Sequence, residues 1–173
     1  AGAKNAALPA IFASLLPAEP VEILNVPCLR DVETAVELVR ALGKEVVWEE
    51  GRLLIREPGP LSPRAPEELV RRMRASFLVL GPLLARLGQA QVPLPGGCAI
   101  GTRPVDLHLK GLSALGAELE VREGWVYARA PKLQGRTVYL DYPSVGATEQ
   151  LLLAGALAAG ETAVLNPVSY THL

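Results

Sequence analysis

The sequence predicts a mixed α/β fold in which α-β-α-β-β units repeat along the chain and the helices pack together inside. Two stretches, 30–53 and 103–126, resemble one another at a constant spacing of 73 residues. Each follows the order helix, glycine stop, strand, tight turn, strand. Repeated units of this kind bury their apolar faces against one another, and their hairpins favour a mixed sheet over a Rossmann sheet.

The first copy is predicted as a helix over Asn5–Leu16, a strand over Val21–Leu24, a second helix from Arg30 to Leu42 and a hairpin that turns at Gly51. Pro17 ends the first helix because proline cannot continue it. In the second helix, apolar residues recur at the i, i+4, i+7 spacing of one buried face.

The second copy repeats this order. A helix over Ala75–Leu87 stops at Gly88, a strand covers Gln91–Leu94, and Pro104 opens another helix, since proline is pre-shaped for a first helical position. A hairpin with its turn at Gly124 completes the copy.

A third copy starts near residue 146 and is incomplete. Its helix is predicted to run to Ala159 and stop at Gly160, with a strand over Thr162–Leu165. We therefore divide the chain into units of about 1–57, 67–130 and a partial 144–166. A proline-rich loop over 56–66 joins the first two units, and 167–173 is interpreted as a truncation tail of native or non-native origin.

Composition excludes several functional classes. The net charge of −1 and the 5% aromatic content argue against nucleic acid or an anionic membrane as a partner. The longest apolar stretch, 151–160, is far shorter than the ~20 residues that span a bilayer. Two cysteines make no disulfide framework and fit a reducing, cytoplasmic setting, and no signal peptide is expected. A start without methionine suggests a fragment.

The segment 94–106 is the strongest candidate for chemistry. Cys98 lies among Gly96, Gly97 and Gly101, and Arg103 follows five residues later. A cation near an accessible thiol lowers its pKa and favours the reactive thiolate. A buried structural cysteine is the alternative, and Cys28, between Pro27 and Leu29, fits that alternative better.

Other candidates recur where helices begin: Lys4 with Asn5, Arg74, Arg103 with Asp106, and Ser144. Each has an ordinary explanation as a cap, a solvated charge or a first-turn acid, and His108 is more often structural than catalytic. Helix starts also bind anions, so their convergence in a repeated fold would create an anion-binding centre. No cluster has metal-ligand spacing, so no metal site is expected.

Six motifs in order resemble the UDP-N-acetylglucosamine enolpyruvyl transferases over residues 1 to about 166. They are Gly2–Pro9, Asn25–Val32, Met73–Ser76, Leu80–Leu83, Leu94–His108 and Ser144–Glu149. The resemblance implies an inside-out α/β barrel domain. It implies transfer of the enolpyruvyl group from phosphoenolpyruvate to the 3-hydroxyl of UDP-N-acetylglucosamine, the first committed step of bacterial peptidoglycan synthesis, with no cofactor.

The resemblance also assigns residues. Cys98 corresponds to the general acid that fosfomycin alkylates, and Asn5 to a contact of the sugar. Cations that hold phosphoenolpyruvate correspond to Lys4, Arg74 and Arg103. The uridine-diphosphate site corresponds to Arg103, Pro104, Val105, Asp106, Leu107, Ser144, Val145 and Gly146.

The family's catalytic aspartate lies in a second domain that this chain lacks, so we expect the chain alone to be inactive. Two alternatives stay open: an enzyme like 5-enolpyruvylshikimate-3-phosphate synthase, which lacks the cysteine loop, and a non-catalytic UDP-sugar-binding paralogue. A purely structural repeat protein would not need glycines and cations at matching helix starts.

Overall fold

Three small sheets and six α-helices share one hydrophobic core in the computed structural model, which describes residues 2–95 and 105–168. The strands form separate sheets here, whereas the sequence predicted one mixed sheet. Two of the sheets have three strands in antiparallel pairs, and the third is a parallel pair. The mixed α/β class is confirmed.

The first part of the chain has its elements in the predicted order. Its elements are α1 (Lys4–Ala13), β1 (Val21–Ile23), α2 (Arg30–Ala41), β2 (Glu45–Glu49) and β3 (Arg52–Arg56). β3 lies between β1 and β2 and pairs with both. The prediction that α1 reaches Leu16 is wrong, because the backbone tightens into i→i+3 hydrogen bonds after Ala13, ahead of Pro17.

The second part has the same sheet order. After a short helix, α3 (Glu67–Arg71), a 3₁₀ helix over Arg74–Val79 leads directly into α4 (Leu80–Leu87). Gly88 ends α4 in the left-handed conformation at φ 71°, as its position predicted. The remaining elements are β4 (Gln89–Pro93), α5 (Asp106–Ala114), β5 (Glu118–Arg122) and β6 (Trp125–Arg129), and β6 lies between β4 and β5.

Both hairpins turn on a Glu-Gly pair. Glu50 and Gly51 have φ values of 48° and 77°, and Glu123 and Gly124 have 51° and 78°. Two consecutive positive φ angles define the type I′ turn, whose twist matches that of antiparallel strands. The glycine supplies the second angle without steric cost, which explains why the repeat places Gly at this point.

The third part contains β7 (Thr137–Tyr139), α6 (Val145–Gly155) and β8 (Ala163–Leu165), with β7 and β8 parallel. The prediction that α6 reaches Ala159 is wrong. The Ala159 N–H donates to Leu133 at 2.9 Å, so the chain there is extended against a neighbouring segment. β7 and α3 were missed, because each is short and buries one side chain, Val138 or Val70.

Helices pack directly on one another, α1 on α2 and both α4 and α5 on α6. Two glycines allow the close approach to α6. A Cβ at Gly111 would lie 2.5 Å from a methyl group of the fully buried Leu151, and one at Gly81 would lie 2.7 Å from Gln150 Oε1. Within the described residues, no helix is long and apolar enough to cross a membrane.

Candidate functional site

A cavity of about 580 Å³ lies where the first turns of several helices meet. Asn5 from α1, Arg74 at the start of the 3₁₀ helix, Val105 just before α5, and Val145 and Gly146 at the start of α6 all line it. The predicted convergence of helix starts is therefore present for these residues. The volume is within the ~300–1,000 Å³ range of small-molecule sites.

The apolar wall of the cavity comes from the 3₁₀ helix and α1, which contribute Phe77, Leu78, Leu8 and Pro9. Pro9 lies inside α1 and has no N–H, so the Asn5 carbonyl does not receive the usual i→i−4 hydrogen bond. The cavity thus combines an apolar surface with polar groups from helix first turns, as ligand sites commonly do.

Three predicted residues, Cys98, Arg103 and Pro104, lie outside the described residues. Pro95, at the edge of the described chain, lines the cavity, and so does Val105 on the other side of the gap. The residues on either side of the segment that contains Cys98 therefore both lie at the cavity.

Lys4 and Leu107 do not line this cavity. The Lys4 ammonium lies 3.0 Å from the Asp31 carboxylate, and both side chains are partly exposed. Leu107 is buried and lines a separate cavity of about 180 Å³ against β7. Asp106 is exposed in the first turn of α5, where its charge favours the helix dipole.

Ser144 caps α6. Its hydroxyl oxygen accepts a hydrogen bond from the Ala147 N–H at 3.2 Å, and its carbonyl accepts from the Thr148 hydroxyl at 2.7 Å. The cap occupies the Ala147 donor, whereas the N–H groups of Val145 and Gly146 belong to the first turn, which has no intrahelical acceptor. Those two residues line the cavity.

His108 lies in the cavity wall, and its side chain is only 7% exposed. Its ring packs edge-on against Phe77, with centroids 5.3 Å apart. Burial, together with the nearby Arg74 charge, lowers the pKa of His108 to about 4. The imidazole is therefore neutral at pH 7.

Glu149 is an ionisable cavity residue to which the sequence analysis assigned no role in the site. It is half-buried one helical turn after Val145, and burial raises the pKa of its carboxyl group. The i, i+4 spacing from Val145 to Glu149 was the available signal, since residues so spaced share a helix face. Its carboxylate and the Arg74 guanidinium place opposite charges around one cavity.

The interpretation of Cys28 as a buried structural cysteine is wrong. Cys28 is exposed in the segment that joins β1 to α2. Val26 is the core residue of this segment, and its N–H bonds the Gly51 carbonyl at 2.7 Å, whereas Cys28 two residues later is exposed. Any thiol-labelling experiment on Cys98 therefore needs a variant that removes Cys28.

Comparison with known proteins agrees with this fold. Residues 1–173 match the EPSP synthase (3-phosphoshikimate 1-carboxyvinyltransferase) family. The chain therefore belongs to this family of carboxyvinyltransferases.

Within the family, the chain is similar to particular relatives. It is 54% identical to UDP-N-acetylglucosamine 1-carboxyvinyltransferase 2 of Carboxydothermus hydrogenoformans and 56% identical to the UDP-N-acetylglucosamine 1-carboxyvinyltransferase of Desulfovibrio desulfuricans. Each alignment covers 95% of this chain but 39% of the relative, so the chain spans about two fifths of their length.

Solved structures share the fold. The enolpyruvyl transferase NikO from Streptomyces tendae superposes with a TM-score of 0.83 at 23% identity, over 96% of this chain and 40% of that one. EPSP synthase from Acinetobacter baumannii superposes with a TM-score of 0.75 at 21% identity, over 98% of this chain and 40% of that one. These likenesses confirm the enolpyruvyl transferase fold.

Proposed function

We propose that this chain is part of an enzyme that transfers the enolpyruvyl group of phosphoenolpyruvate to the 3-hydroxyl of UDP-N-acetylglucosamine and releases phosphate. The observation that carries the proposal is the convergence of helix first turns and Arg74 on one cavity. The names of the relatives support the choice of acceptor. As the resemblance implies, the reaction would begin peptidoglycan synthesis in the bacterial cytoplasm.

The chemistry is an addition followed by an elimination. The sugar hydroxyl oxygen adds to C2 of phosphoenolpyruvate while C3 gains a proton, and the hydroxyl proton passes to a base. The C2–O bond to phosphate then breaks, C3 loses a proton, and the double bond returns. We assign proton donation at C3 to Cys98, because its glycine-rich loop and nearby cation suit an activated thiol.

Both substrates carry phosphate, so the site needs positive charge and N–H donors. We assign phosphoenolpyruvate binding to Lys4, Arg74 and Arg103. The nucleotide sugar is assigned to Asn5, to the segment from Arg103 to Leu107, and to 144–146. Arg74 and the start of α6 face the cavity, which supports the proposal, whereas Lys4 would have to exchange Asp31 for the substrate.

Leu107 and Ser144 support the proposal less directly. The Leu107 side chain is directed into a separate cavity, and the Ser144 hydroxyl already caps α6. We therefore propose that these residues contribute mainly through the backbone of the two helix starts that they belong to.

We also propose that this chain alone does not turn over. It covers about two fifths of its relatives, and the catalytic aspartate and further arginines of the resemblance belong to a second domain. A continuous assay of phosphate release with both substrates should give no substrate-dependent rate. A clear rate from the isolated chain would contradict this proposal.

The first experiment is intact-mass analysis after fosfomycin treatment, with and without UDP-N-acetylglucosamine. The Cys28→Ser variant is the starting protein, because Cys28 is exposed and would otherwise take a general alkylator. One adduct that maps to Cys98 and forms faster with the nucleotide sugar is expected. The matched Cys98→Ser variant should give none.

A general thiol alkylator provides the control for accessibility. If the alkylator labels Cys98 but fosfomycin does not, the thiol is accessible without being activated by this chain. If the full-length protein also resists fosfomycin, the proposed role of Cys98 is wrong.

A further inference from the structure

A buried amide lies directly behind the cavity. Gln150 of α6 is fully buried. Its Nε2 donates to the Phe77 carbonyl at 2.9 Å, and its Oε1 accepts from the Gly81 N–H at 2.8 Å. A carbonyl only accepts and a backbone N–H only donates, so these two contacts fix which end of the amide is nitrogen.

The oriented amide fixes the tautomer of His108. Gln150 Nε2 lies 3.4 Å from His108 Nδ1, and an amide nitrogen offers only protons. Nδ1 must therefore accept, and in a neutral imidazole the ring proton then belongs to Nε2. The Phe77 ring, edge-on at an interplanar angle of 71°, restricts rotation of the imidazole.

The Nε2 edge of the ring lies against the first turn of α6. A Cβ at Gly146 would be 3.1 Å from both Nε2 and Cε1 of His108, so glycine leaves the space that this ring edge needs. His108, Gly146 and Val145 line the same cavity. The Nε2 edge of the ring is thus beside the first turn of α6, at the wall of the cavity.

We propose that His108 is a fixed, uncharged hydrogen-bond donor, through Nε2–H, to a phosphoryl oxygen of the nucleotide sugar bound at the start of α6. The inference rests on the proposed function and deepens it. A neutral donor held by buried packing gives a directional hydrogen bond without placing a second charge next to Arg74. Gln150 and Gly146 then act as positioning residues, because one sets the tautomer and the other gives the ring its place.

Nitrogen-15 NMR of the histidine rings tests the tautomer. The chain has two histidines, so in the His172→Asn variant every histidine signal comes from His108. We expect the Nε2–H tautomer and no titration from about pH 8 to about pH 5.5. Among the described residues, Arg74 and Glu149 are the ionisable groups that line the cavity with His108. An Nδ1–H tautomer, or an ordinary histidine titration, would overturn the inference.

Binding tests the donor role. UDP-N-acetylglucosamine should shift the His108 Nε2 signal, and His108→Phe should weaken binding roughly tenfold or more, as expected for a lost hydrogen bond to a charged group. His108→Gln, whose amide can donate from a similar position, should stay within about threefold. Calorimetry measures affinity, and thermal unfolding checks that each variant is folded.

The outcomes separate the two proposals. If the nucleotide sugar binds but leaves the His108 signals and the His108→Phe affinity unchanged, the donor role is wrong and the proposed function stands. If the folded chain does not bind the nucleotide sugar at all, the assignment of that ligand to this cavity falls, and the role of His108 falls with it.

Discussion

Residues 21–57 and 89–130 are built alike, and we refer to them as the first and second frames. In each, the last strand of the hairpin lies in the middle of a three-stranded antiparallel sheet, next to a helix. The hairpins turn on Glu-Gly pairs 73 residues apart with nearly identical φ angles. Two segments with different side chains therefore reach one backbone geometry, because apolar spacing and turn chemistry are shared.

The frames differ in the segment between their first strand and their helix. Leu53 and Val126 are equivalent at a separation of 73 residues, whereas their strand partners Ile23 and Val92 are 69 apart. The second segment is therefore longer by four residues, and it contains the glycines and Cys98. The frame supplies stability, and the added loop length is where we place function, since loops on rigid scaffolds commonly carry it.

The largest effect is expected from equalising the two loops. Deleting Gly96, Gly97, Gly101 and Thr102 leaves Cys98 in a loop as short as the first one. We expect complete loss of the fosfomycin adduct in the Cys28→Ser background, because we propose that the four extra residues are what allows the thiol to act at the cavity. The free energy of unfolding, measured by thermal unfolding, should change by less than about 1 kcal/mol, since loop length affects stability only weakly.

The matched control lengthens the first loop by four Gly-Ser residues after Pro27, which should alter neither the adduct nor unfolding. An adduct that survives the deletion would show that loop length does not determine function. A deletion variant that fails to fold would show that the frame depends on the loop.

The frames also differ in their buried charges. Glu57 pairs with Arg86 through two hydrogen bonds of 3.0 Å and with Lys44 at 3.2 Å, and the Lys44 side chain is 1% exposed. Alanine occupies both equivalent positions of the second frame, at Ala117 and Ala130, 73 residues on. Glu57→Gln should lower the free energy of unfolding by about 3 kcal/mol, because it leaves buried cations without a counter-charge.

Urea unfolding with a double-mutant cycle measures this difference. Lys44→Ala combined with Glu57→Ala copies the second frame, and the pair should be coupled by about 2 kcal/mol. Glu22→Gln, which breaks the exposed pair with Arg52, should cost less than about 1 kcal/mol. Equal costs for Glu57→Gln and Glu22→Gln would contradict the buried-network explanation.

The contribution of Glu57 to the stability of the fold should also depend on pH, in a direction that its pKa determines. Its hydrogen bonds to Arg86 contribute most to holding the pKa of Glu57 below its usual value of 4.5, despite burial. The stabilisation is therefore complete above the unfolded pKa and is lost as pH falls through the lower folded value. The cost of Glu57→Gln should be full at neutral pH and shrink in acid, whereas a cost that grows in acid would reverse the assignment.

Much of the frame could be predicted from the sequence, because glycine stops, Glu-Gly turns and apolar spacing act locally. The end of α6 could not, since it depends on the Ala159 hydrogen bond to a distant segment. β7 and α3 were missed because three and five residues carry too little periodicity.

The candidate site was predictable only in part. Charged and capping residues at helix starts identified Arg74 and the beginning of α6. The tautomer of His108 was not predictable, because it depends on Gln150, 42 residues away, and on Gly146. Glu149 had the correct helical spacing, but its burial is a tertiary property.

A moderate effect on stability is expected at a position where the first frame has a large side chain and the second has none. Leu38 and its equivalent Gly111 are both buried, but Gly111 lies against Leu151. Gly111→Ala should destabilise by about 1 kcal/mol, because overpacking exceeds the gain in helix propensity. Ser113→Ala, on the exposed side of α5, should be neutral or slightly stabilising. Stabilisation by Gly111→Ala in chemical unfolding would show that α5 and α6 can separate.

The smallest effect should be equal in the two frames. Glu50 and Glu123 each adopt a positive φ that costs a side chain of ordinary type about 1 kcal/mol, and asparagine tolerates this angle better. Glu50→Asn and Glu123→Asn should therefore each stabilise by about 0.5 kcal/mol, measured by chemical unfolding. Unequal gains would show that one turn is held by its surroundings. Equal gains are expected because both turns are held alike: the Gly51 carbonyl accepts the Val26 N–H at 2.7 Å, and the Gly124 carbonyl accepts the Leu94 N–H at 2.8 Å.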